Sequence, residues 1–154
     1  MILCLLLDQL HKFLMLETYG MKDNEIIHVT GFFNLVMVWN RGISFGMFQG
    51  HEYSNYIFMT TTSLICITLF YFIKKAANLL EAIAFGMIIG GALGNLIDRI
   101  RIGAVADFFD FHIGNLHWPA FNIADSCVFL GATILISSTF LQFGKNRKPT
   151  NLEV

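Results

Sequence analysis

The chain has 154 residues, of which 55% are hydrophobic and only 14% charged, and its formal net charge is −1. Soluble domains carry about 25% charged residues, so this chain cannot cover a water-facing surface and much of it must face lipid. The balanced charge offers nothing to nucleic acid, and the length suits a single domain spanning 1–154.

A membrane-spanning helix needs about 20 mostly apolar residues. Four runs answer to this, at about 1–16, 56–73, 79–97 and 124–143. The first is short and carries Asp8, His11 and Lys12. An acid so early, with no small-residue cleavage site after it, predicts a retained helix rather than a signal peptide. Residues 26–29 and 33–39 are β-branched or aromatic and are separated by Thr30-Gly31, which predicts a hairpin. Phe45, Met47 and Phe48 suit an amphipathic turn lying on the headgroups, and 46–55 has the composition of a movable segment. Residues 105–113 read as a further strand, turning at Gly114-Asn115 and returning through Leu116 and His117. Lys74 and Lys75 close the second run, and Lys145, Arg147 and Lys148 close the fourth. Positive charge marks the cytoplasmic side, so both termini are expected there, with segments 17–55 and 98–123 outside. The expected fold is a mainly α membrane protein with four transmembrane helices and a small extracytoplasmic β-sheet. Trp39 and Trp118 suit its interfacial aromatic belt.

Polar groups inside an apolar chain are costly and point to function. Here they gather in five clusters. Asp8 and Lys12 are four apart, so an ion pair on one helix face is expected; orienting the helix is as good a role for it as touching substrate. Asn40-Arg41-Gly42-Ile43-Ser44-Phe45-Gly46 follows a strand, and Asn40 could grip a peptide backbone; alone, it would read as a plain turn. Gly90-Gly91-Ala92-Leu93-Gly94-Asn95 has a small-xxx-small spacing for close helix approach, followed by Asp98 and Arg99. Asp98 is placed to pair with Arg99 or Arg101. Asp107 falls on the predicted strand and Asp125 at the start of the fourth run. Asp110, three residues beyond Asp107, should point to the opposite face and be solvated.

Other chemistries find little support. Ser44 and Ser126 have no histidine in their clusters, and His112 and His117 read as surface residues. Cys4, Cys66 and Cys127 lack paired spacing and read as buried thiols, so no disulfide, metal or cofactor is expected. Two carboxylates in a poorly solvated site share one proton, and can then act as general acid and base on an amide. The same pair would also suit a proton- or cation-coupled carrier, although most polar groups gather at one outer edge rather than at mid-membrane. A packing scaffold would explain the glycines but not two facing carboxylates.

Taken together, Asp8-Gln9-x-x-Lys12, Asn40-x-Gly42-x-Ser44-Phe45, Gly90-Gly91-x-x-Gly94-Asn95-x-x-Asp98-Arg99, Val105-x-Asp107-Phe108 and Phe121-Asn122-x-Ala124-Asp125 resemble the bacterial lipoprotein (type II) signal peptidases, in order over nearly the whole chain. The resemblance implies an aspartic endopeptidase of the inner membrane. It would remove the signal peptide of diacylglyceryl-modified prolipoproteins just before the lipidated cysteine. It further implies Asp107 and Asp125 as the catalytic pair, Asn40, Gly42, Asn95, Arg99 and Asn122 along the substrate groove, and Asp8, Lys12 and Asp98 as structural support. Membrane lipid and globomycin-type cyclic peptide inhibitors are the further partners it implies. His11 and the bulky Ile43 depart from the residues common in that family.

Overall fold

The computed structural model describes residues 1–42 and 53–146, with side chains as far as Phe140. Helix α1 (Ile2–Phe13) runs into a π-helical turn (Leu14–Thr18), followed by strands β1 (Ile26–His28) and β2 (Phe33–Asn40). Helices α2 (Ser54–Ile73) and α3 (Leu79–Ile102), strands β3 (Val105–Ile113) and β4 (Leu116–His117), and helix α4 (Ile123–Asn146) complete it. The hairpin and the later strand pair form where alternation and turn residues predict them. The expected turn at Phe45, Met47 and Phe48, Ser44 of the second cluster, most of the 46–55 segment, and Arg147 and Lys148 lie outside the described residues.

Helices α2, α3 and α4 are long and apolar enough to cross a membrane. The 12 residues of α1 fall short of that length. Among the described residues, α2 buries only Ser54 and Cys66. Its remaining surface, with Ile57, Leu64 and Ile67 outward, is an apolar face of the kind lipid covers.

Helix α3 is the hub, packed against α1, α2 and α4. Its start is fixed by Asn78, whose side chain accepts the Glu81 N–H at 2.9 Å, an N-cap that satisfies an otherwise orphan donor. Its end is fixed by Gly103, which takes the left-handed conformation (φ 80°) and donates its N–H to Arg99. The helix therefore runs past residue 97, and Asp98 and Arg99 ride on its last turns instead of in a loop. Gly94 lets α1 lie against α3: a Cβ there would sit 2.6 Å from an Asp8 carboxylate oxygen.

The strands form one antiparallel sheet in chain order. Leu35 pairs with Phe109 and Val38 with Asp107, so β2 carries one extra residue beside Asp107. Such a bulge sharpens the local twist and re-aims the side chains around it. One sheet face sends Ala106 and Phe108 into a core with Met15, Met21 and Met37. On the other, Phe33, Phe109, Phe111 and Phe121 form a contiguous aromatic layer, with ring centroids 4.8 to 6.2 Å apart. By strand alternation Asp107 belongs to the aromatic face.

Candidate active site

Asp125 lies in the first turn of α4, and Asn122 caps that turn. The Asn122 side-chain oxygen accepts the Asp125 N–H at 2.9 Å, and the Asp125 carboxylate accepts the Asn122 backbone N–H at 3.3 Å. This is a reciprocal capping box with aspartate in the acidic position. The Asn122 side-chain amide points the other way, donating to Asp107 at 2.7 Å, to Asn95 at 3.1 Å and to the Ala106 carbonyl at 3.2 Å. One asparagine thus holds both aspartates. Asn95 donates to the other oxygen of Asp125 at 2.7 Å, and Asn40 to the other oxygen of Asp107 at 3.0 Å.

Asp107 is 1% exposed. Burial, reinforced by the neighbouring Asp125 charge, pushes its carboxyl up from 3.8 to about 7, against the pull of the Asn40 and Asn122 hydrogen bonds. Asp107 therefore keeps its proton well above the ordinary carboxylate range and is partly protonated near neutral pH.

A cavity of about 880 Å³ opens beside the pair. Asn40, Gly42, Asn95, Arg99 and Asp125 line its polar end, and Phe129 belongs to the apolar wall that continues along α4. Asp107 and Asn122 lie behind that lining, fully buried. The Arg99 guanidinium donates to the Gly42 carbonyl at 3.0 Å and lies 4.6 Å over the Phe58 ring. Among the described residues its second terminal nitrogen is buried without a hydrogen-bond partner.

The expected Asp8–Lys12 pair forms at 2.8 Å. Asp98 does not pair with Arg99 or Arg101; it meets Lys12 at 2.6 Å, because the glycine contact brings α1 against this turn of α3. The reading of Asp110 as solvated is also corrected. It is buried, accepting from Asn34 at 2.8 Å and contacting His117 at 2.9 Å. The face opposite Asp107 is not open to water, because β2 and β4 flank it with polar side chains. His117 remains half exposed, with His112 stacked on it at 4.9 Å. Two residues join the site unannounced. Gln9 donates to both Asp8 and Asp98, and its place beside Asp8 in the first cluster was the signal. Phe58, under Arg99, has none in sequence.

Residues 1–141 match the family described as Signal peptidase (SPase) II. The lipoprotein signal peptidase of Anaplasma phagocytophilum (strain HZ) is 42% identical over 131 residues, covering 85% of this chain and 83% of its own. That of Anaplasma marginale (strain Florida) is 45% identical over 130 residues, covering 84% and 75%. A bacterial membrane enzyme of known structure, determined by the in meso method, superposes with a TM-score of 0.83 at 33% identity, covering 98% of this chain and 90% of its own. By sequence and by fold, the chain belongs to the signal peptidase II family.

Proposed function

We propose that this peptidase, whose family acts in lipoprotein processing, is an aspartic endopeptidase working through Asp107 and Asp125. One observation carries the reading. A buried carboxylate, Asp107, and a half-buried one, Asp125, are held by a single asparagine at the polar end of a cavity with an apolar wall. Two such groups share one proton. The ionised one takes a proton from water as its oxygen attacks the scissile carbonyl carbon. The protonated one gives its proton first to the carbonyl oxygen and, as the C–N bond breaks, a proton passes to the leaving amine. Their titrations are coupled and belong to the pair.

In this reading Asn40, Gly42, Asn95 and Arg99 bind the extended substrate backbone, and the Arg99 nitrogen that has no partner among the described residues supplies a donor to it. Asn122 acts from behind the lining, holding the pair. The apolar wall along α4 suits the acyl chains of a diacylglyceryl-modified prolipoprotein, cut just before the lipidated cysteine. Membrane lipid and globomycin-type cyclic peptides would enter the same cavity. α1 with its π-helical turn serves as the fourth span of a single-domain inner-membrane protein. The termini are cytoplasmic and the sheet and dyad face outward. A proton- or cation-coupled carrier is not favoured, since family membership points to peptide cleavage.

The test is cleavage of a lipidated precursor in detergent by Asp107→Asn and Asp125→Asn. Each should lose at least about 1000-fold in rate, within the usual span of acid–base catalysis. Either variant cutting within tenfold of the parent would remove the dyad mechanism. Equal cutting of a precursor lacking the lipid would remove the substrate assignment.

A further inference from the structure

Behind the dyad lies a second polar cluster that the acid–base chemistry does not use. Lys12 is 4% exposed and donates to three acceptors: Asp98 at 2.6 Å, Asp8 at 2.8 Å and the Asn95 side-chain oxygen at 3.2 Å. An ammonium has three protons, so its capacity is fully used. Each of the two acids in turn accepts one particular backbone N–H. Asp8 takes that of Ala124 at 2.9 Å, and Asp98 takes that of Ala106 at 3.4 Å. Ala124 immediately precedes Asp125, and Ala106 immediately precedes Asp107. The third acceptor, Asn95, donates its own amide to Asp125. Gln9 spans the two acids a second time, at 3.2 Å and 3.1 Å.

We infer that Lys12 and Gln9 are positioning residues: through Asp8 and Asp98 they tether the backbone ahead of each dyad aspartate and thereby set the gap between the two carboxylates. This rests on the dyad reading above. The cluster is more than helix-packing support, because its hydrogen bonds end on the backbone one residue ahead of each aspartate. Its two arms are unequal, and the longer Ala106 contact makes the Asp107 side the looser one. Lys12 also fixes the Asn95 amide. With its oxygen occupied by Lys12 and Asn122, Asn95 can present only N–H to Asp125. The charged or titratable groups that face Lys12 and those its cluster supports are Asp8, Asp98, Asp107 and Asp125, with His11 beside Lys12 on α1 and Arg99 beside the aspartates on α3.

The experiment measures kcat and KM for a lipidated precursor against pH, using Lys12→Met and Gln9→Leu. A dyad displaced by about 1 Å loses about 100-fold in rate. Lys12→Met should therefore fall about 100-fold in kcat with KM within about threefold. Its pH optimum should move upward, because removing a cation makes ionisation of nearby carboxylates harder. Gln9→Leu keeps every charge and should lose about tenfold in kcat by the same misplacement at smaller amplitude, with KM and melting temperature nearly unchanged. Folded Lys12→Met with parental kcat and an unmoved pH optimum would overturn the inference. If Lys12→Met does not fold, Gln9→Leu decides, and a kcat within twofold of the parent overturns it. Asp107→Asn run alongside separates the two ideas. Active Asp107→Asn refutes the dyad, whereas inactive Asp107→Asn with fully active Gln9→Leu refutes only the tether.

Discussion

Asp107 and Asp110 are three residues apart on one strand, both buried, and have opposite acidities. Burial and the Asp125 charge push Asp107 up to about 7. Burial also works to raise Asp110, but hydrogen bonds from Asn34 and His117, together with the charges of His117 and His112, hold it below the ordinary carboxylate range. Both carboxylates accept hydrogen bonds, so the count of donors does not separate them. What separates them is first the depth of desolvation, which dominates at Asp107, and then the charged neighbour, a second acid for Asp107 and a pair of imidazoles for Asp110. One end of the strand stores a proton and the other stores a negative charge.

The comparison breaks most sharply at Asn122. Asn122→Ala removes the side-chain donor to Asp107 and the cap on the Asp125 N–H at once, and should lower cleavage about 100-fold, as expected when reacting groups drift. The lost N-cap costs about 1 kcal/mol besides. A cleavage assay paired with thermal melting separates the two effects, and parental cleavage would show that the asparagine does not hold the pair.

The second consequence is in pH. If Asp107, whose carboxyl is raised to about 7, is the proton donor, cleavage should fall as pH rises above about 7, approaching tenfold per unit as one proton is lost. A rate flat to pH 9 would place that proton elsewhere.

The third is in stability, where the two acids have opposite signs. A raised carboxyl makes the folded state hold its proton longer than the unfolded chain, so the Asp107 contribution is present below pH 3.8 and lost as pH rises through about 7. A depressed carboxyl does the reverse, so the Asp110 contribution is present above its ordinary value and lost as pH falls through its folded one. Asp107→Asn should flatten the decline in melting temperature across pH 4 to about 7. The smallest effect belongs to Asp110→Asn, which should cost about 1 to 3 kcal/mol as a buried partner is lost and leave cleavage within about threefold. A large cleavage defect in that variant would mean that the two ends of the strand are coupled.

Much of this was legible in the residues. The β1–β2 hairpin follows from β-branched runs around Thr30-Gly31, and the Asp8–Lys12 pair from helical spacing. Asp107 and Asp125 stood out because acids are rare in apolar surroundings. What stayed hidden depends on contacts between distant segments. Asp98 has two arginines near it in sequence, yet its partner is Lys12, which α1 delivers across the glycine surface of α3. Strand alternation correctly sends Asp110 away from Asp107, but it says nothing about what covers that second face. There Asn34 and His117 do so from the neighbouring strands. The helical continuation to Ile102 depends on the Gly103 cap, whose left-handed geometry is visible only once folded.

The contact between Asp8 and the Ala124 N–H joins residues 116 positions apart. Its consequence lies in the order of synthesis. A ribosome adds about 5 to 20 residues per second, so the first helix waits many seconds for the partner that completes its cluster. Until α4 docks, Asp107 has neither Asp125 nor Asn122 beside it. If the two aspartates do the cutting, a chain still being inserted has no competent site, and hydrolytic power arrives together with the last helix.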